Sequence, residues 1–200
     1  MRDSFAFQFA AFAPMGLVLY LGKIREIAAL LLPVLCHELG HVLALWLLGM
    51  KIRRFRLELR GFCIEYYGGD GAVGHALAAA AGPLAGFVWA AAASQLGNRL
   101  PADWLCLSAG VSLLLSLFNL LPAMPLDGGR IMLAFSCAML GERKGARLCE
   151  GISLFTGAAL MGFGLWLMLR GKGAALLAAS IWVLLYQESG AVLAKRREMI

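Results

Sequence analysis

The chain has 200 residues, 61% of them hydrophobic, and a formal net charge of +6. A soluble domain is nearer half apolar, so a mean hydropathy of +0.78 excludes an ordinary soluble protein and predicts an all-α polytopic membrane protein, one domain over residues 1–200. The basic residues gather at the ends of apolar runs, as in proteins facing anionic lipid, and this excludes a nucleic-acid surface.

A membrane span needs about 20 apolar residues. The pattern predicts six transmembrane helices, at 5–22, 27–50, 75–97, 104–123, 148–169 and 173–194. The first lacks the short apolar core and small-residue cleavage site of a signal peptide, and reads as a retained span.

The second span contains His37-Glu38-Leu39-Gly40-His41. On a helix, His37 and His41 are four residues apart and share one face, so a single Zn²⁺ can take both imidazoles, with Glu38 beside the open coordination position. A charged group at the centre of a membrane helix costs roughly 3 kcal/mol on insertion scales, and such groups rarely persist there without a task.

Residues 51–74 follow. Phe55, Leu57 and Leu59 alternate with Arg54, Arg56, Glu58 and Arg60, and after Gly61 the alternation resumes through Phe62, Ile64 and Tyr66. Period-two patterning around a glycine predicts a short β-hairpin, whose edge could pair with an extended peptide or only cap the bundle. The third span is rich in glycine and alanine, which permits close helix packing. The fourth ends in Asn119-Leu-Leu-Pro122-Ala-Met-Pro125-Leu-Asp127-Gly128-Gly129-Arg130. Its two prolines forbid regular helix, and irregular backbone at membrane depth is tolerated only inside protein or along a water-filled cavity. Residues 131–140 are apolar but too short to cross, and predict a short helix.

Zinc in a hydrolytic site wants three protein ligands and one open position. Cys36 points off the His37 face. His75 and Asp127 remain as candidates for the third ligand, and Asp127 is favoured. The five cysteines, Cys36, Cys63, Cys106, Cys137 and Cys149, show no CxxC spacing; three or four lie in apolar runs and read as buried thiols rather than disulfides or metal sites.

With a cytoplasmic N-terminus, Arg2, the basic residues of 51–60, those of 130–147 and Lys195-Arg196-Arg197 fall inside. Lys23, Arg25, Arg99, Arg170 and Lys172 fall outside. The positive-inside rule therefore predicts a multi-pass protein of the cell membrane with both termini, the hairpin and the active-site opening cytoplasmic.

Three segments carry a resemblance: HELGH on the second span, AAGPLAG (80–86) on the third and NLLPAMPLDGGR (119–130) ending the fourth. In order and spacing the chain resembles the site-2 protease family of intramembrane zinc metalloproteases, in the SpoIVFB-like compact bacterial branch without PDZ or CBS domains. The resemblance implies that His37, His41 and Asp127 bind zinc, that Glu38 is the catalytic carboxylate, and that Asn119 is a polar group near the active site. It implies hydrolysis of a peptide bond in or near a transmembrane segment of another membrane protein, such as a membrane-tethered transcription factor precursor, an anti-sigma factor or a remnant signal peptide. Family members often carry asparagine where this chain has Gly86, so no catalytic role is expected of that loop. The competing expectation is a catalytically inactive scaffold or transporter-like protein with a structural metal. A transporter usually shows broken helices in two matching halves, and only 122–129 has that character here.

Overall fold

The computed structural model describes residues 24–58, 61–67 and 71–171. The expected first and sixth spans lie outside the described residues. In chain order come α1 (Ile24–Leu47), β1 (Lys51–Glu58), β2 (Gly61–Tyr67), α2 (Ala72–Arg99), α3 (Asp103–Asn119), α4 (Asp127–Leu140) and α5 (Glu142–Leu169).

Three of these helices, α1, α2 and α5, are long and apolar enough to cross a membrane. At 1.5 Å per residue they run about 36 to 42 Å, against a hydrocarbon core of about 30 Å. The segment expected to span 104–123 is shorter, 17 residues ending at Asn119. Pro122 offers no N–H, and the residue before a proline is pushed out of helical conformation. Conversely α5 starts at Glu142 rather than 148, because the polar run 142–147 contains good helix formers such as Glu, Arg, Lys and Ala. The short helix expected over 131–140 starts earlier, at Asp127, whose carboxylate suits the positive end of the helix dipole.

At the end of α1, Gly49 takes φ 67° and the Met50 N–H closes on Leu45 O at 2.9 Å. This glycine-permitted left-handed turn stops the helix and sends the chain into β1. The two strands pair antiparallel, from Lys51 opposite Tyr67 to Glu58 opposite Gly61, with an irregularity between Ile52 and Arg54.

The described residues group into two compact units. The first holds those up to residue 70 together with 81–117. Here α1 meets α2 through glycine: a Cβ on Gly40 would lie 2.5 Å from Ala81 O and 2.6 Å from Ala85 Cβ. Backbone cannot step aside as a flexible side chain can. Gly40→Ala should therefore cost about 1–3 kcal/mol, the usual range for overpacking, and a lowered thermal midpoint in detergent would register it. Along the α2–α3 seam, Ser108, Ser112 and Ser116 recur one turn apart and are each 0% exposed. Ser112 Oγ donates to Gly86 O at 2.8 Å, and Trp89 Nε1 donates to Ser108 Oγ at 3.0 Å. Lipid gives no hydrophobic drive to helix pairing, so small residues and interhelical hydrogen bonds hold such seams.

The second unit holds 71–80 and 118–171. α5 packs against α4 at Gly145, where a Cβ would sit 2.5 Å from the backbone of Ser136 and Cys137. Ala123 and Leu126, with Phe118 and Leu121 against them, form a small apolar cluster in the segment between α3 and α4.

Among the described residues, most of those enclosed are small, with Leu45, Leu105 and Leu126 among the exceptions, and many large apolar ones face out. Ala29, Ala93 and Ala123 are at most 1% exposed, whereas Trp46, Phe155 and Leu169 are exposed by 73%, 76% and 81%. Lipid tails are the natural surroundings for such a surface.

Candidate metal centre

α1 runs unbroken through the HELGH segment, so the four-residue spacing places both imidazoles on one side of the helix. Their Nε2 atoms lie 3.3 Å apart. The rings are held edge to face, with centroids 4.9 Å apart and an interplanar angle of 81°. Four-coordinate zinc with Zn–N bonds of about 2.0–2.1 Å sets neighbouring nitrogens about 3.3–3.4 Å apart. The two nitrogens thus stand at the separation one tetrahedral ion requires.

The ring of His41 is seated by α2. A Cβ built on Gly82 would fall on its Nε2, Cε1 and Cδ2 atoms. Only a residue without a side chain lets the imidazole lie against this helix. The small-residue run of the third span was legible in sequence, but its opposition to His41 was not, because which turns of two helices face each other is a tertiary fact.

His37, His41 and Asp127 form a group able to hold a metal, with one ligand atom from each lying within 4.8 Å of the others. His37 and Asp127 are each 5% exposed, and His41 is the less enclosed of the three. Two nitrogens and one carboxylate oxygen form a donor set that zinc accepts in catalytic sites. The residues present therefore fit the metal.

Asp127 is held by its surroundings in the second unit. It opens α4, where Arg130 N–H bonds Leu126 O at 3.1 Å. Gly128 and Gly129 have no room for a Cβ: the first would meet the Leu120 and Leu121 carbonyls, the second Ala123 and Met124 backbone. Both glycines lie within α4, where they let one backbone stretch approach another closely.

The other expected residues are placed as follows. Glu38 follows His37 on α1 and is half-buried. Asn119 is the last residue of α3 and is also half-buried. His75 is exposed near the start of α2 and is not in the metal-capable group. Cys36 is half-buried on α1, likewise outside it.

Comparison with known proteins bears on this geometry. The zinc metalloprotease Rip3 named in Mycobacterium tuberculosis is 36% identical over 166 residues, covering 71% of this chain and 42% of that protein. The zinc metalloprotease sll0528 named in Synechocystis sp. is 30% identical over 152 residues, covering 72% and 38%. The chain thus spans about two fifths of the length of these curated relatives. Among solved structures, the site-2 protease from Methanocaldococcus jannaschii superposes with a TM-score of 0.69 at 25% identity, covering 94% of this chain and 87% of that one. The profile of the peptidase M50B-like family matches residues 9–141. The HELGH helix, the metal-capable trio and these likenesses agree, and the chain belongs to the M50B-like peptidases, the site-2 protease family of zinc metalloproteases.

Proposed function

We propose that this chain hydrolyses a peptide bond in or near a transmembrane segment of another membrane protein. The observation that carries the reading is the grouping of His37, His41 and Asp127, two of them almost fully enclosed, in a chain whose helices suit lipid.

When bound there, zinc would polarise the scissile carbonyl and make water a usable nucleophile near neutral pH. The chain's own residues do the rest. Glu38, adjacent to the pair of histidines but outside the donor group, accepts the proton of the attacking water and returns it to the leaving amine. Asn119 offers an amide hydrogen bond to the oxygen that becomes negative as water adds. A transmembrane helix hides its amides in intrachain bonds, so the substrate must unwind locally before attack. The β1–β2 pair supports such a step: among the described residues the sheet has two strands, each with an outer edge, and an unwound substrate could add to it as a further strand.

In the same reading the whole chain is one six-span domain of the cell membrane, with both termini, the hairpin and the site opening on the cytoplasmic side. The distribution of lysine and arginine supports that orientation.

Zinc content tests the core of the proposal. Detergent-purified wild type should carry about one zinc per chain, and Asp127→Ala should lose or loosen it, as elemental analysis would register. A well-folded wild type without zinc would favour a scaffold in which the HELGH segment is structural.

A further inference from the structure

Asp127 follows an irregular stretch of chain. Between α3 and α4, Pro122 and Pro125 have no N–H to give, and the internal bonds are short-range ones, from Ala123 N–H to Leu121 O and from Leu126 N–H to Ala123 O, both at 2.8 Å. One face of α5 grips this stretch as well. Ser153 Oγ accepts the Met124 N–H at 3.0 Å. One turn further along, Thr156 Oγ1 donates to Ile152 O at 2.9 Å and also reaches Pro122 O at 3.4 Å. One turn before, Cys149 Sγ lies 3.6 Å from Gly129 O, on the far side of Asp127. Positions 149, 153 and 156 share a helix face, so α5 fastens the chain on both sides of the aspartate.

We propose that Ser153, assisted by Thr156, is a positioning residue for the Asp127 carboxylate, and that it sets metal affinity through the 122–127 backbone without touching the metal. This rests on the reading of Asp127 as a ligand. Ser153 is 1% exposed, so water cannot replace its hydroxyl. Removing that hydroxyl takes from the Met124 N–H its 3.0 Å acceptor on α5, and a lost hydrogen bond of this kind lets the segment shift. Met124 is three residues from Asp127, and Gly128 and Gly129 already lie as close to neighbouring backbone as chain can lie. A shift at Met124 is therefore transmitted to the carboxylate. Thr156 acts over a longer bond and has a second acceptor on its own helix, so its share is smaller.

The test is the zinc dissociation constant of the detergent-purified chain, measured by chelator competition, with helical content checked by circular dichroism. Ser153→Ala should weaken zinc by about ten- to a hundredfold, the range for residues that orient a metal ligand, and Ser153→Thr, which keeps the acceptor, should restore most of it. Thr156→Val should weaken zinc by a smaller factor, and it decides the matter if Ser153→Ala does not fold. In an Asp127→Asn background Ser153→Ala should add little, because the residue acts through that carboxylate. Wild-type zinc affinity in folded Ser153→Ala, or an equal loss in both backgrounds, would overturn the positioning role alone. Wild-type affinity in Asp127→Asn would overturn the ligand reading and this inference with it.

Discussion

Glu38→Gln should abolish peptide hydrolysis and leave zinc in place. The substitution preserves size and the capacity to hydrogen-bond, so the half-buried position on α1 is not disturbed. What it removes is the ability to take a proton at neutral pH. General acid–base catalysis contributes typically 10²–10⁴-fold, and here one carboxylate is asked to serve in both water attack and amine departure, so a loss at or beyond the upper end, about 10⁴-fold, is expected. The metal should stay because His37, His41 and Asp127 form the donor group and Glu38 stands outside it. Turnover of a transmembrane substrate in detergent, read beside elemental analysis of the same sample, checks both halves. Near-normal cleavage would remove Glu38 from the chemistry. Lost zinc would move it into the coordination sphere.

Gly82→Ala is expected to do the opposite, removing the metal without replacing a ligand. The three nearest atoms that the added methyl would meet all belong to the His41 imidazole. The ring has to swing away, and its Nε2 leaves the 3.3 Å separation from His37 Nε2. Two imidazoles that no longer converge hold zinc far less well. A loss of more than about tenfold in affinity, with a parallel loss of hydrolysis, is expected by analogy with residues that orient ligands. Gly86→Ala is the comparison, one turn along the same helix. There the methyl would meet the Ser116 hydroxyl, a side-chain tip that can rotate, so zinc should remain bound. Equal zinc affinity in Gly82→Ala and wild type would mean that α2 does not seat the ring.

These two substitutions also separate what sequence carries from what it does not. The HELGH segment is legible because helical spacing alone brings positions 37 and 41 to one side. Asp127 is legible because a carboxylate after two prolines has no place in an ordinary span. The alternation around Gly61 likewise announces the paired strands from Lys51 to Tyr67. Helix ends are read less well: Pro122 stops α3 before the proline is reached, and the charged run at 142–147 joins α5 although it is too polar for a span. The supports of the site are not legible at all. Gly82 under His41, and Ser153 under Met124, act between segments distant in the chain. Neither has a local pattern to mark it, since a glycine or serine in an apolar helix looks the same wherever it points.

The size gradient, with alanine, glycine and serine making up most of the enclosed residues and residues such as Trp46 and Phe155 outward, has a consequence for how this protein tolerates genetic change. In a water-soluble domain the heavy core residues are the guarded ones and the surface drifts freely. Here the drift permitted at the outer face is among oily side chains of any bulk. The guarded positions are those where evolution can add no carbon at all. Inherited variation should therefore be filtered by volume at the centre and by polarity at the rim.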